Sequence, residues 1–103
     1  MLATDGTFVL TDHARHQMDN RCIGLETVRC VMAHGDRRVQ VGGGMVALSL
    51  TRRRRDGLRQ RGVAPAQIER AAKIILVVRR AEEPVIITVM RGHVGADRHY
   101  RRV

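Results

Sequence analysis

Tryptophan is absent from the chain, and Phe8 and Tyr100 are its only aromatic residues. A core with almost no rings has to be aliphatic, built from Val, Ile, Leu, Met and Ala side chains in close packing. Lysine is almost missing as well. Lys73 is the single lysine among 19 basic residues, so arginine supplies nearly all the positive charge. Acids number only 10, which leaves a formal net charge of +9. An imbalance of that size directs attention to a polyanionic partner, most often a nucleic acid.

Other absences exclude other classes. No stretch approaches the roughly 18 consecutive apolar residues of a membrane span. Met1 to Leu10 carries Asp5 and no basic region, which argues against a secretory leader. Cys22 and Cys30 are the only cysteines and match no standard zinc spacing, so neither metal nor cofactor is expected. A cytoplasmic protein with reduced thiols is the resulting expectation. The triple glycine Gly42-Gly43-Gly44 lacks the Gly-Lys-Ser/Thr ending of a phosphate-binding loop and reads as a plain turn.

With 44% hydrophobic and 28% charged residues, the 103-residue chain has the composition of one folded domain. Phe8-Val9-Leu10 forms a short apolar run, and Thr11-Asp12 after it is a good helix start. The spacing predicts a first helix from His13 to about Asn20. A second follows from Leu25 to about Ala33, with Leu25, Val28, Val31 and Met32 as a core-facing stripe. Gly35 stands where a C-terminal helix cap belongs. Val39 and Val41 then alternate with polar residues, and Met45 to Thr51 completes a hairpin across the glycines.

Arg52-Arg53-Arg54-Arg55-Asp56-Gly57 reads as a basic loop. Pro65 suits the first turn of a short third helix. Ile74 to Val78 and Val85 to Met90 complete the strands. The expected class is α+β: two N-terminal helices packed on an antiparallel sheet of about four strands, with a small basic helical insert near 52–66 and a basic tail over 91–103. Asn20-Arg21-Cys22-Ile23 and Gln60-Arg61-Gly62-Val63 echo one another, which reads as two similar helix starts and not as a duplication.

Guanidinium groups bind phosphate through paired donors, and this singles out the arginine clusters. Four adjacent charges at Arg52, Arg53, Arg54 and Arg55 repel unless a polyanion compensates them. With Arg37 and Arg38 beside the helices and Arg98 and Arg101 in the tail, they form the candidate nucleic-acid-binding set. An ordinary solvated loop or an acidic protein partner is the competing reading. Tyr100 could stack on a base. His13 and His16 stand three residues apart; without a third ligand nearby, acid–base work or a surface role fits them better than metal binding.

Phe8-Val9-Leu10-Thr11-Asp12-His13-Ala14, followed by Met18, Arg21 and Ile23, resembles the opening of an uncharacterised bacterial domain family with the pattern His-Ala-x-x-Arg-Met-x-x-Arg-Gly-Ile. The family's closing Val-Ile-Thr-Val-Tyr-like strand has its counterpart in Val85-Ile86-Ile87-Thr88-Val89-Met90-Arg91. The resemblance spans nearly the whole chain. More remotely, that family resembles RelE/ParE-like toxins, and this implies a RelE/ParE-like fold and metal-independent cleavage of RNA, free or on the ribosome, under the control of an acidic antitoxin protein. On this sequence it implies His13 as base or acid, Arg21 and Arg91 on the phosphate, Thr88 as an orienting group and His93 as a further proton carrier. Three positions depart from the pattern: Gln17 replaces Arg, Cys22 replaces Gly, and Met90 replaces an aromatic. The loss of an arginine at position 17 weakens the catalytic expectation and favours its alternative, a non-catalytic nucleic-acid-binding or regulatory module.

Overall fold

The computed structural model describes residues 8–92. Nine elements follow one another: β1 (Val9–Leu10), α1 (Asp12–Asn20), α2 (Leu25–His34), β2 (Arg37–Gly42), β3 (Met45–Ser49), α3 (Arg52–Gln60), α4 (Pro65–Ala72), β4 (Ile74–Arg79) and β5 (Val85–Arg91). The class is α+β, and the detail differs from expectation in three ways. The sheet has five strands in the order β1-β5-β4-β3-β2. It is mixed, because β1 runs parallel to β5 while the other pairs are antiparallel. Among the described residues there are four helices in two pairs, and the Arg52 to Arg55 run is no loop but the first turn of α3.

The helix starts explain why. Thr11 sits in extended conformation before α1, and its Oγ1 accepts the Ala14 N–H at 3.1 Å. Thr51 does the same before α3, accepting from the Arg54 N–H at 3.1 Å. Each cap satisfies a backbone donor that the first helical turn leaves without a partner. Both threonines then pass on their own hydroxyl proton, Thr11 to the Ile87 carbonyl and Thr51 to the Asp36 carboxylate.

The likeness does not stop at the caps. Forty residues separate Thr11 from Thr51, and the same offset carries the whole α1–α2 turn onto the α3–α4 turn. Arg21 N–H bonds Gln17 O as Arg61 N–H bonds Gly57 O, and Ile23 N–H bonds Met18 O as Val63 N–H bonds Leu58 O. Val28 N–H bonds Gly24 O as Ile68 N–H bonds Ala64 O. The four-residue echo is thus one part of a repeated helical pair, and each pair is followed by a two-stranded hairpin, β2–β3 and β4–β5.

One position in the repeat is strained. Gly62 takes φ 87°, while its counterpart Cys22 takes φ 54° and is the one non-glycine residue with positive φ among the described residues. A Cβ in that conformation costs roughly 1–2 kcal/mol, part of which glycine returns in unfolded-state entropy. The exposed Cys22→Gly change is therefore expected to stabilise the protein by about 0.5–1 kcal/mol. A urea titration reads this as a higher midpoint at unchanged slope, and a lower midpoint would contradict it.

The core is aliphatic and lies between the helices and one face of the sheet. Ala14, Val28, Val31, Leu58, Ile68, Ala71, Leu76, Ile86 and Val89 are fully buried. Ile86 and Val89 are three residues apart, a spacing that places side chains on opposite faces of a regular strand. A register shift in the β4–β5 ladder, where Val78 pairs with Ile86 and Val77 with Thr88, brings both onto the helical side. The N–H of Val89 is taken by Gln17 Oε1 at 2.8 Å. Arginine has no acceptor, so the Gln17 departure has a structural reason. Gly35 does end α2, at an ordinary φ of −58°. Glycine is needed there for closeness, since a Cβ would lie 2.6 Å from the Val31 carbonyl and 2.7 Å from Leu48.

Candidate nucleic-acid interface

Arg52, Arg55 and Arg59 stand at i, i+3 and i+7, which on a helix is a single face. Leu58, one turn after Arg55 and beside that face, is the one buried residue of α3 and anchors the helix in the core. The arginine face overhangs the end of the sheet, where β3 finishes, β4 begins and β2 starts. There it walls a cavity of about 560 Å³ together with Arg37 from β2 and Lys73 from the end of α4. Leu50, Ala72, Ile74 and Ile75 give that cavity an aliphatic surface, and Glu69 is the one acid among the described residues that line it.

Two local features hold this wall in place. Asp36 Oδ1 accepts the Thr51 N–H at 2.9 Å and its Oδ2 accepts the Thr51 hydroxyl at 2.7 Å, which ties the start of α3 to the start of β2. Burial pulls the Asp36 carboxyl upward, but the two Thr51 bonds and nearby Arg54 outweigh it, so the group titrates below its ordinary value of 3.8. At the other side, the Gly92 N–H bonds the Lys73 carbonyl at 2.7 Å and joins the end of β5 to the end of α4.

The charge arrangement is unfavourable for the helix alone. Four arginines occupy the first turn of α3 and no acid accompanies them, so they face the positive end of the helix dipole. Arg59 has Asp56 at 2.8 Å, and Arg54 lies 4.0 Å from Asp36. Both are exposed pairs, worth little in water. An anion in the cavity relieves the repulsion among Arg52, Arg55 and Arg59 and interacts favourably with the dipole.

A second, smaller cavity of about 310 Å³ adjoins the first, and Glu69, Lys73 and Ile74 belong to both walls. Arg70 and Arg91 add two cations to it, and Cys22, Ile23 and Thr27 also line it. Arg91 Nη2 donates to the Arg21 backbone carbonyl at 2.7 Å, which orients its guanidinium.

The structure gathers only part of the sequence-derived set. Arg37, Arg52 and Arg55 meet in the large cavity, whereas Arg53 and Arg54 border open depressions around Asp56 and Asp36. Arg38 is exposed on edge strand β2 and lines neither cavity. Of the residues that the family resemblance offered for catalysis, Arg21 and Arg91 touch each other. His13 is exposed on α1, Thr88 lies opposite Val77 in the sheet, and neither lines the two cavities. His93, Arg98 and Arg101 lie outside the described residues, as does Tyr100. Arg59, Arg70 and Lys73 were missed by sequence reasoning. The i, i+3, i+7 spacing would have given Arg59, had 52–60 been read as a helix. Among the described residues no three His, Cys, Asp or Glu side chains gather to hold a metal ion, and no helix is long and apolar enough to cross a membrane. No protein-family model, no curated protein and no solved structure matches this chain.

Proposed function

We infer that the protein is a nucleic-acid-binding module which holds the phosphate backbone of RNA in the arginine-walled cavity. The observation that carries this reading is the comparison between the two helical pairs. Where α3 has Arg52 and Arg59, α1 has Asp12 and Asp19, yet both pairs make the same caps and the same turn. The fold thus has no need of cations at these positions. Their grouping with Arg37, Arg55 and Lys73 serves something outside the chain, and it has the chemistry of a phosphate site: arginine forks in a concave setting with one acid among them. The motifs at both ends of the chain resemble an uncharacterised bacterial family that itself, more remotely, resembles RelE/ParE-like toxins, and that expectation favours RNA among polyanions.

Binding is better supported than cleavage. A metal-independent ribonuclease needs a proton carrier within reach of the held phosphate; of the two histidines offered for that role, His13 is not in the cavity wall and His93 lies outside the described residues. An acidic protein, such as an antitoxin, is the competing occupant of the same surface. Amide chemical shifts of the labelled protein, followed while single-stranded oligo(rU) is added at low salt, test the reading. The largest changes are expected at Arg52, Arg55, Arg59 and Lys73, with the RNA recovered intact in the presence of EDTA. Changes centred on His13 to Arg21 would overturn the placement. Cleavage that disappears in His13→Ala would establish the ribonuclease instead.

A further inference from the structure

We propose that the two adjoining cavities take consecutive nucleotides of one single strand, with Lys73 between them on the linking phosphate. This rests on the RNA-binding reading and deepens it by naming the form of the substrate. The cavities share the wall formed by Glu69, Lys73 and Ile74, so a chain leaving one enters the other. Their volumes, about 560 and 310 Å³, fall in the range of small-molecule pockets. Their surfaces are not uniformly cationic. Leu50, Ala72 and Ile75 in the first and Ile23 and Ala66 in the second are apolar, and Ile74 is common to both.

A duplex presents phosphates and keeps its base faces stacked inside, so it has nothing to bury against aliphatic walls. A single strand splays its bases and brings the missing apolar partner. Glu69 points the same way. Among the described residues it is the single acid in both walls, and it repels phosphate, so the backbone follows the arginine side of the path, with sugar and base edges toward the carboxylate. Successive cations then line up on the backbone: Arg52, Arg55 and Arg59 at the first nucleotide, Lys73 at the link, Arg70 and Arg91 at the second.

Fluorescence anisotropy on the full chain tests the path. The probes are 5′-phosphorylated uridine, an oligo(rU) octamer, a blunt RNA duplex with as many phosphates as the octamer, and poly-glutamate. The octamer is expected to bind at least about tenfold tighter than the duplex or poly-glutamate. Arg70→Gln and Arg91→Gln are each expected to weaken the octamer by about three- to tenfold, while the mononucleotide, held in the first cavity, is unaffected by Arg70→Gln. Arg79→Gln, at the opposite end of β4, is expected to change nothing. Arg70 is an exposed helix residue, so its variant tests the second cavity even if Arg91→Gln fails to fold. A duplex bound as tightly as the octamer, or an octamer indifferent to both substitutions, would overturn the single-strand path and leave RNA binding standing. Failure of every RNA probe, or preference for poly-glutamate, would overturn both.

Discussion

Replacing Arg52 and Arg59 by the residues of the first helical pair, Arg52→Asp with Arg59→Asp, is expected to leave a folded protein that has lost its RNA affinity. At low salt the loss should be about a hundredfold or more, because two phosphate-facing cations become two anions inside one cavity. Stability should move by less than about 1 kcal/mol. Aspartate at the first position of α3 suits the helix dipole and returns about 0.5 kcal/mol. The loss of the exposed Arg59–Asp56 pair, at 2.8 Å, takes back a similar amount. Thermal melting and anisotropy on the same preparation separate the two effects. A variant that unfolds while wild-type affinity persists in the folded fraction would mean that these arginines serve the fold and not a ligand.

Leu58→Ala should give the largest stability change. Leu58 is fully buried and is the one core residue of α3, whose other side chains are polar or glycine. Truncating a buried leucine costs about 2–5 kcal/mol through lost transfer energy and the cavity left behind. A domain of this size has a total stability of roughly 5–15 kcal/mol, so the fraction lost is large. The consequence reaches function, because without Leu58 nothing else of α3 anchors the arginine face in the core. Urea unfolding should show a markedly lower midpoint, and RNA affinity should fall although no cation is removed. A loss below about 1 kcal/mol would show that α3 does not dock in the core as described.

The contrast between α1 and α3 also shows how far the sequence could be read. Thr11-Asp12 at the start of α1 and the stripe of Leu25, Val28, Val31 and Met32 on α2 announce their helices locally, although Leu25 turns out exposed, and Gly42 to Gly44 announce the hairpin turn. Thr51 is as good a cap as Thr11, but the four arginines and Asp56-Gly57 behind it read as a basic loop. Only one apolar residue, Leu58, marks the core side of α3, too few for a periodic signal. The parallel pairing of β1 with β5 was not legible either. It joins Val9 to Val85 and Leu10 to Ile86, residues far apart in the chain, and the two-residue β1 is too short to carry a pattern of its own. The site suffered most from the misread element. Arg37, Arg52 and Arg55 were visible as charges, while Arg59 and Lys73 join them only through the packing of α3 and α4 above the sheet end.

The most direct single measurement is the salt dependence of oligo(rU) binding, taken side by side on the wild type and on Arg52→Asp with Arg59→Asp. For the wild type, log affinity should fall linearly with log salt, by about 0.7 for each phosphate neutralised. The variant should be weaker and its line shallower by about 1.4, the share of two lost contacts. Two parallel lines would contradict the assignment of these arginines to phosphate, and a flat response in the wild type would remove nucleic acid as the partner.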